Sequence, residues 1–211
     1  MQKKIAVIND LSGYGRCSLT VAIPVLSVMG HQCCPVPTAI LSNHTEFPVY
    51  FFDDYTEKMT AYTDKWKELG LSFDAVATGF LGSEAQIEIV MDMIRKLESE
   101  ETFVVVDPVM GDHGHAYETY TPEMCEQMKE LVCMADVVLP NVTECCILTD
   151  TPYREENWTR KELLNMAMML RLMGAKSVVI TGVREGSCYT NVVLEQGQYD
   201  AKFIRTRSSG G

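Results

Sequence analysis

Phe103-Val104-Val105-Val106-Asp107-Pro108-Val109-Met110-Gly111-Asp112 is a run of four apolar residues followed at once by an acid, a proline and a glycine. An unbroken apolar run of this length, closed by turn residues, fits a strand buried on both faces. The same grammar recurs at 4–8, 32–36, 75–78, 137–139 and 177–181, each run giving way to small or polar residues. Amphipathic stretches lie between these runs, and such alternation feeds a mostly parallel sheet. The expected class is therefore α/β.

The helical stretches carry their own punctuation. Ile87, Val90, Met91, Ile94 and Leu97 recur at helical spacing, and Ser83 with Gln86 fits a capping box at that helix's start. Thr159 with Glu162 repeats the signature ahead of Leu163, Leu164, Ala167, Leu170 and Met173, and Gly174 suits the C-terminal stop. Met166, Met168, Met169 and Met173 on that helix are expected to pack in the core. Pro122 after Thr121 reads as a first-turn proline behind an N-cap. Beyond Thr181 the runs 187–194 and 198–205, joined around Gly197, read as an antiparallel hairpin at the sheet edge.

At 211 residues and 46% hydrophobic, the chain can bury one substantial core, and a single domain over 1–211 is expected. Eighteen Lys and Arg against 29 Asp and Glu leave a net charge of −11 with no basic cluster, which argues against nucleic-acid and anionic-membrane partners. Ile5 to Ile8 are too few for a signal-peptide core or a membrane span, so a cytoplasmic location is expected. The eight cysteines lie mostly within apolar periodic segments and form no Cys-x-x-Cys pair, which fits reduced thiols better than disulfides or zinc.

Ligands of an open parallel sheet bind beyond the carboxyl ends of its strands. Here those ends read Asn9-Asp10-Leu11-Ser12-Gly13-Tyr14-Gly15, Thr78-Gly79-Phe80-Leu81-Gly82-Ser83, Asp107 to Asp112, Pro140-Asn141-Val142-Thr143-Glu144, and Thr181-Gly182. Gly13-x-Gly15 is a weak dinucleotide fingerprint because position 18 is Ser, and no Walker-type lysine loop exists. Asp107, Asp112 and Glu144 offer hard oxygen ligands for magnesium on a nucleotide. Ordinary alternatives stand beside that reading: Asp107 before Pro108 shaping a turn, and Glu144 completing a helix cap with Asn141.

Three segments carry a resemblance. Leu41-Ser42-Asn43-His44-Thr45, Thr78 to Ser83 and Asp107-Pro108-Val109-Met110-Gly111-Asp112 resemble motifs of the pyridoxal kinases, with Pro140-Asn141, Glu144 and Val178 to Thr181 following in the expected order. The resemblance implies a three-layer ribokinase-like fold and ATP-dependent, Mg2+-assisted phosphorylation of the hydroxymethyl group of a B6 vitamer, by a homodimer. It implies substrate contacts at Asp10, Ser12, His44, Thr45 and Phe80, nucleotide contacts at Asp107, Tyr117, Asn141, Thr181 and Gly182, and metal ligands at Asp112 and Glu144.

Two positions depart from the family pattern. Phe80 stands where a tyrosine is common, keeping ring stacking and losing the phenol. Asp10 replaces a common serine, and an acceptor-only carboxylate favours a protonated ring nitrogen or an amino substituent. The latter also resembles hydroxymethylpyrimidine kinases, which leaves a thiamine-pathway kinase and a non-catalytic vitamer-binding protein as alternatives. The family's glycine-rich turn with its catalytic base is expected beyond Ser208-Ser209-Gly210-Gly211, so these 211 residues alone are expected to transfer phosphate poorly.

Overall fold

The structure is a computed structural model and describes residues 2–45, 47–97 and 101–207. The fold is mixed α/β, a mostly parallel sheet flanked by helices with antiparallel strands at its edges. The chain packs as two compact units, Met1–Val105 and Val106–Gly211.

In the first unit, β1 (Lys4–Tyr14) lies between β2 (Gln32–Asn43) and β4 (Ala75–Thr78), parallel to both, and β3 (Phe52–Asp54) pairs antiparallel with β2. The helices are α1 (Ser18–Val28), α2 (Thr56–Glu68) and α3 (Glu84–Leu97), and β5 (Phe103–Val106) ends the unit. Ala6, Ile8, Val36, Val76, Ile87, Val90 and Ile94 are buried to 0% exposure, each burial stabilising by about 1–3 kcal/mol.

Both leading strands run far past their expected ends at 8 and 36. After a shift of register between Asn9 and Leu11, β1 continues to pair with β2 as far as Tyr14 and Asn43. Asn9 to Tyr14 are therefore strand rather than loop, with Asp10 and Ser12, at strand spacing, both buried. Pro35 and Pro37 are tolerated in β2. The Pro35 carbonyl accepts from the Tyr62 hydroxyl at 3.0 Å, so that residue's backbone edge faces away from the β1 ladder. The box expected at α3 is half formed: Gln86 N donates to Ser83 Oγ at 3.3 Å, but the Gln86 side chain turns inward. Its Oε1 takes Gly82 N, and its Nε2 reaches Thr38 O and Thr56 Oγ1.

The second unit contains β6 (Gly111–Asp112), β7 (His115–Ala116), α4 (Pro122–Cys133), β8 (Val137–Val138), α5 (Val142–Leu148), α6 (Arg160–Met173), β9 (Ser177–Glu185), β10 (Cys188–Leu194) and β11 (Lys202–Arg207). β8 and β9 are parallel, and β9, β10 and β11 form an antiparallel meander. The expected hairpin is thus present, its second strand at 202–207 rather than 198–205. β9 outruns its expected end at 181 because a bulge sets Thr181 and Gly182 opposite Asn191, with Gly182 at φ +67°. Thr121 caps α4 through Met124 N, and Thr159 with Glu162 forms a complete box on α6. Met166 is buried as expected, whereas Met169 is exposed. All eight cysteines are free. No helix among the described residues is long and apolar enough to cross a membrane.

Candidate active site

The residues expected to meet the substrate all belong to the first unit. Asp10 and Ser12 are buried on β1, and Ser12 Oγ donates to Asp10 Oδ2 at 2.7 Å. Asn9 Oδ1 accepts from both Asp10 N and Phe80 N at 2.9 Å, tying the β1 bulge to the turn after β4. That approach requires glycine at 79, where a Cβ would stand 2.2 Å from Asn9 Nδ2. Phe80 is half-buried, its carbonyl accepting from Thr38 Oγ1 at 2.9 Å.

His44 lies just past the end of β2, over Gly15: a Cβ at that glycine, which has φ +130°, would meet His44 Cδ2 at 2.7 Å. Its ring packs 4.6 Å from that of Phe47. Gly13 and Gly15 therefore serve close packing against the Ser42-Asn43-His44 segment, and the dinucleotide resemblance has no counterpart in their geometry. Thr45 is exposed.

The residues expected to meet the nucleotide and metal all belong to the second unit. Asp107, at the end of β5, is half-buried and its carboxylate has no hydrogen-bond partner among the described residues. Burial pushes it up to about 6. Glu144, at 3% exposure, completes a capping box with Asn141: its Oε2 accepts Asn141 N at 2.7 Å and its Oε1 accepts Met110 N at 3.2 Å. Burial, with the Asp107 charge nearby, pushes Glu144 up to about 8 against those donors. The capping alternative for Glu144 is thus real, and it coexists with the half-buried Asp107 carboxylate close by.

Asn141 is used at both ends, its Oδ1 accepting Glu144 N at 2.9 Å and its Nδ2 donating to Gly111 O at 2.8 Å. Asp112 sits on a two-residue strand, exposed, with Oδ1 accepting His113 N at 2.7 Å. Tyr117 N closes that hairpin on Met110 O at 2.9 Å, and its side chain is exposed. Thr181 bridges to Asn141, and Gly182 has open space where a Cβ would stand.

No group of three or more metal-ligating side chains converges among the described residues. The donor set still fits magnesium, which takes one or two carboxylates and fills its remaining positions with phosphate oxygens and water. A half-buried Asp107 without a protein partner, raised in pKa beside Glu144, is the feature a cation would relieve. A separate groove of about 360 Å³, lined by Arg154, Trp158, Glu162, Met166 and Met169 among others, contains none of the expected residues. Sequence reasoning missed Tyr153, which packs on Gly114 of the hairpin; the contact spans the distance from one loop to another and leaves no local motif.

Strand-end carboxylates and buried polar pairs on a mostly parallel α/β fold agree with what the motif resemblance implies, a member of the ribokinase-like class. The chain belongs to the phosphomethylpyrimidine kinase family, whose model matches residues 22–211. A Bacteroides thetaiotaomicron protein classed with the phosphomethylpyrimidine kinases superposes with a TM-score of 0.94 at 41% identity, over 98% of this chain and 72% of that one. A second crystal form of it, with pyridoxal, gives 0.89 at 43% identity over 93% and 70%. Pyridoxal kinase from Lactobacillus plantarum gives 0.88 at 29% identity over 99% and 74%. Pyridoxal kinase of Dictyostelium discoideum is 28% identical across 87% of this chain and 61% of its own length. The chain thus spans about three fifths of that relative, and the B6-kinase resemblance carried by the three motifs agrees with these matches.

Proposed function

We propose that this chain supplies the substrate and nucleotide residues of an ATP-dependent kinase that phosphorylates the hydroxymethyl group of a B6 vitamer. The observation that carries the reading is family membership together with a relative of 43% identity crystallised with pyridoxal.

In this reading Asp10, Ser12, His44, Thr45 and Phe80 bind and orient the heteroaromatic ring, with Phe80 stacking on it. Asp112 and Glu144 hold Mg2+, directly or through water, while Asp107, Tyr117, Asn141, Thr181 and Gly182 line the nucleotide. Magnesium, when bound, neutralises charge on the transferring phosphate. Positioning and electrostatics account for most of such a reaction, so the residues' task is to hold the alcohol in line and keep the carboxylates ionised. Homodimerisation is carried by family likeness alone, and a cytoplasmic location by the sequence expectation.

A second reading has its own observation. Asp10 is buried, and among the described residues its carboxylate has one hydrogen-bond partner, Ser12 Oγ on Oδ2, which leaves Oδ1 to accept from a ligand donor. The amino group of a hydroxymethylpyrimidine supplies such a donor as well as a protonated pyridine does.

One magnesium-ATP assay separates the readings, using pyridoxal, pyridoxamine, pyridoxine and hydroxymethylpyrimidine on these 211 residues and on any longer chain that contains them. Turnover of a B6 vitamer is the expected outcome, with the longer chain faster. Preference for the pyrimidine would replace the B6 reading with the thiamine-pathway one, and vitamer binding without turnover by either chain would leave a binding protein. Asp10→Ser is expected to lower pyridoxamine over pyridoxal preference about tenfold, the size of one lost charged hydrogen bond.

A further inference from the structure

The hairpin that carries Asp112 cannot hold itself. β6 and β7 pair through two residues each, Gly111 with Ala116 and Asp112 with His115, and the tip residues His113 and Gly114 have φ +50° and +81°. A ribbon this short is not stable alone in water, so its position is set by what it touches.

Three contacts hold it. Asn141 Nδ2 donates to Gly111 O at 2.8 Å, and Gly114 N donates to Thr143 Oγ1 at 2.9 Å. The third comes from the α5–α6 loop. The Tyr153 ring lies so close on Gly114 that a Cβ there would stand 2.4 Å from Cδ1 and 2.6 Å from Cε1. The Thr143 hydroxyl that holds the tip's backbone lies beside the Tyr153 hydroxyl, so the ring that covers the tip and the residue that bonds it stand together. Gly114 fits this place for two reasons: its positive φ and the absence of a side chain under the ring. Tyr153 is half-buried, which suits a ring clamped between a loop and a hairpin.

We propose that Tyr153 is a positioning residue: with Thr143 it latches the tip of the β6–β7 hairpin and so fixes where Asp112 and the Tyr117 segment stand when nucleotide binds. This rests on the kinase reading for its consequence, while the latch itself does not. Tyr153 touches no reacting group; it acts through Gly114.

The test is amide exchange over residues 112–116 in the whole chain without ligand, followed by Mg-ATP and vitamer binding by calorimetry, in wild type, Tyr153→Phe and Tyr153→Ala. Tyr153→Ala is expected to speed exchange at Gly114 about tenfold or more, local opening being the quantity read. It is expected to weaken Mg-ATP binding by about tenfold and leave vitamer binding within about twofold, with Tyr153→Phe intermediate. If Tyr153→Ala does not fold, Thr143→Val gives the same readout, since it removes the acceptor for Gly114 N. Unchanged exchange in a folded variant overturns the latch, and faster exchange with unchanged Mg-ATP binding overturns its positioning role. Should wild type bind no Mg-ATP while exchange still responds to Tyr153→Ala, the kinase reading fails and the latch stands.

Discussion

Asn141 with Glu144 at the start of α5, and Thr159 with Glu162 at the start of α6, are the same four-residue device built twice in one unit. In each, the first side chain accepts the backbone N–H three residues on and the glutamate reaches back to the first residue's N–H. Their electrostatics are opposite. Glu162 is solvent-accessible, receives the Thr159 hydroxyl and Arg154 at 2.8 Å, and is held down at about 2. Glu144 is buried beside Asp107 and pushed up to about 8. Since one unit pressure-tests the same cap both ways, capping does not require burial. Burial, with the Asp107 carboxylate close by, makes ionised Glu144 costly, a cost that the cation of the proposed kinase would offset.

The comparison breaks most visibly at Glu144→Gln. Glutamine serves the third position of a capping box as well as glutamate does, so α5 keeps its cap while the charge is removed. Magnesium-dependent turnover is expected to fall about a hundredfold or more, as when a group facing the transition-state charge is lost. Glu162→Gln in the same assay is expected to change nothing. Turnover as unchanged in Glu144→Gln as in Glu162→Gln would show that Glu144 acts only as a cap.

The pH dependence of unliganded stability sharpens the same point. Glu144 is raised in the folded chain from 4.5 to about 8, so its contribution favours folding fully below 4.5 and is lost as pH rises through 8. Asp107 behaves alike between 3.8 and about 6. Glu162 has the reverse sign: its stabilisation is present above 4.5 and lost as pH falls through about 2. Thermal melts from pH 5 to 8 are expected to lose stability with rising pH in wild type and to flatten in Glu144→Gln. Asp107→Asn removes the neighbouring charge and is expected to move the Glu144 midpoint down by up to about one pH unit, a smaller change than deleting the carboxyl.

How much of this was readable beforehand divides along physical lines. β4 and β5 carry continuous apolar runs and were legible to the residue, and the boxes at Thr159 and Asn141 were legible because their hydrogen bonds are local. The extensions of β1 and β2 were not, because Asp10, Ser12, Pro35 and Pro37 look like loop residues until the two strands pair. α1 and α2 carry no side-chain cap bond, and α1 has Pro24 inside an almost wholly apolar run, so neither showed a start signal. The site residues were visible as strand ends, but two features of the site were not. Burial of the Asp107–Glu144 pair depends on packing from several elements, and Tyr153 reaches Gly114 across a loop.

The smallest effect is the most specific control. Thr159→Ala deletes the hydroxyl that accepts Glu162 N at 3.2 Å and donates to Glu162 Oε2 at 2.7 Å. Loss of such a cap costs about 1 kcal/mol of stability, read as a lower urea midpoint at unchanged slope. Kinetic constants are expected to stay at wild-type values, because none of the residues expected to touch substrate, metal or nucleotide bonds to this box. Its partner Arg154 still pairs with Glu162 after the change, so the loss isolates the cap from the ion pair. A kinetic defect as large as that of Glu144→Gln would mean that stability of the whole unit, rather than the charge on one buried carboxylate, sets the rate.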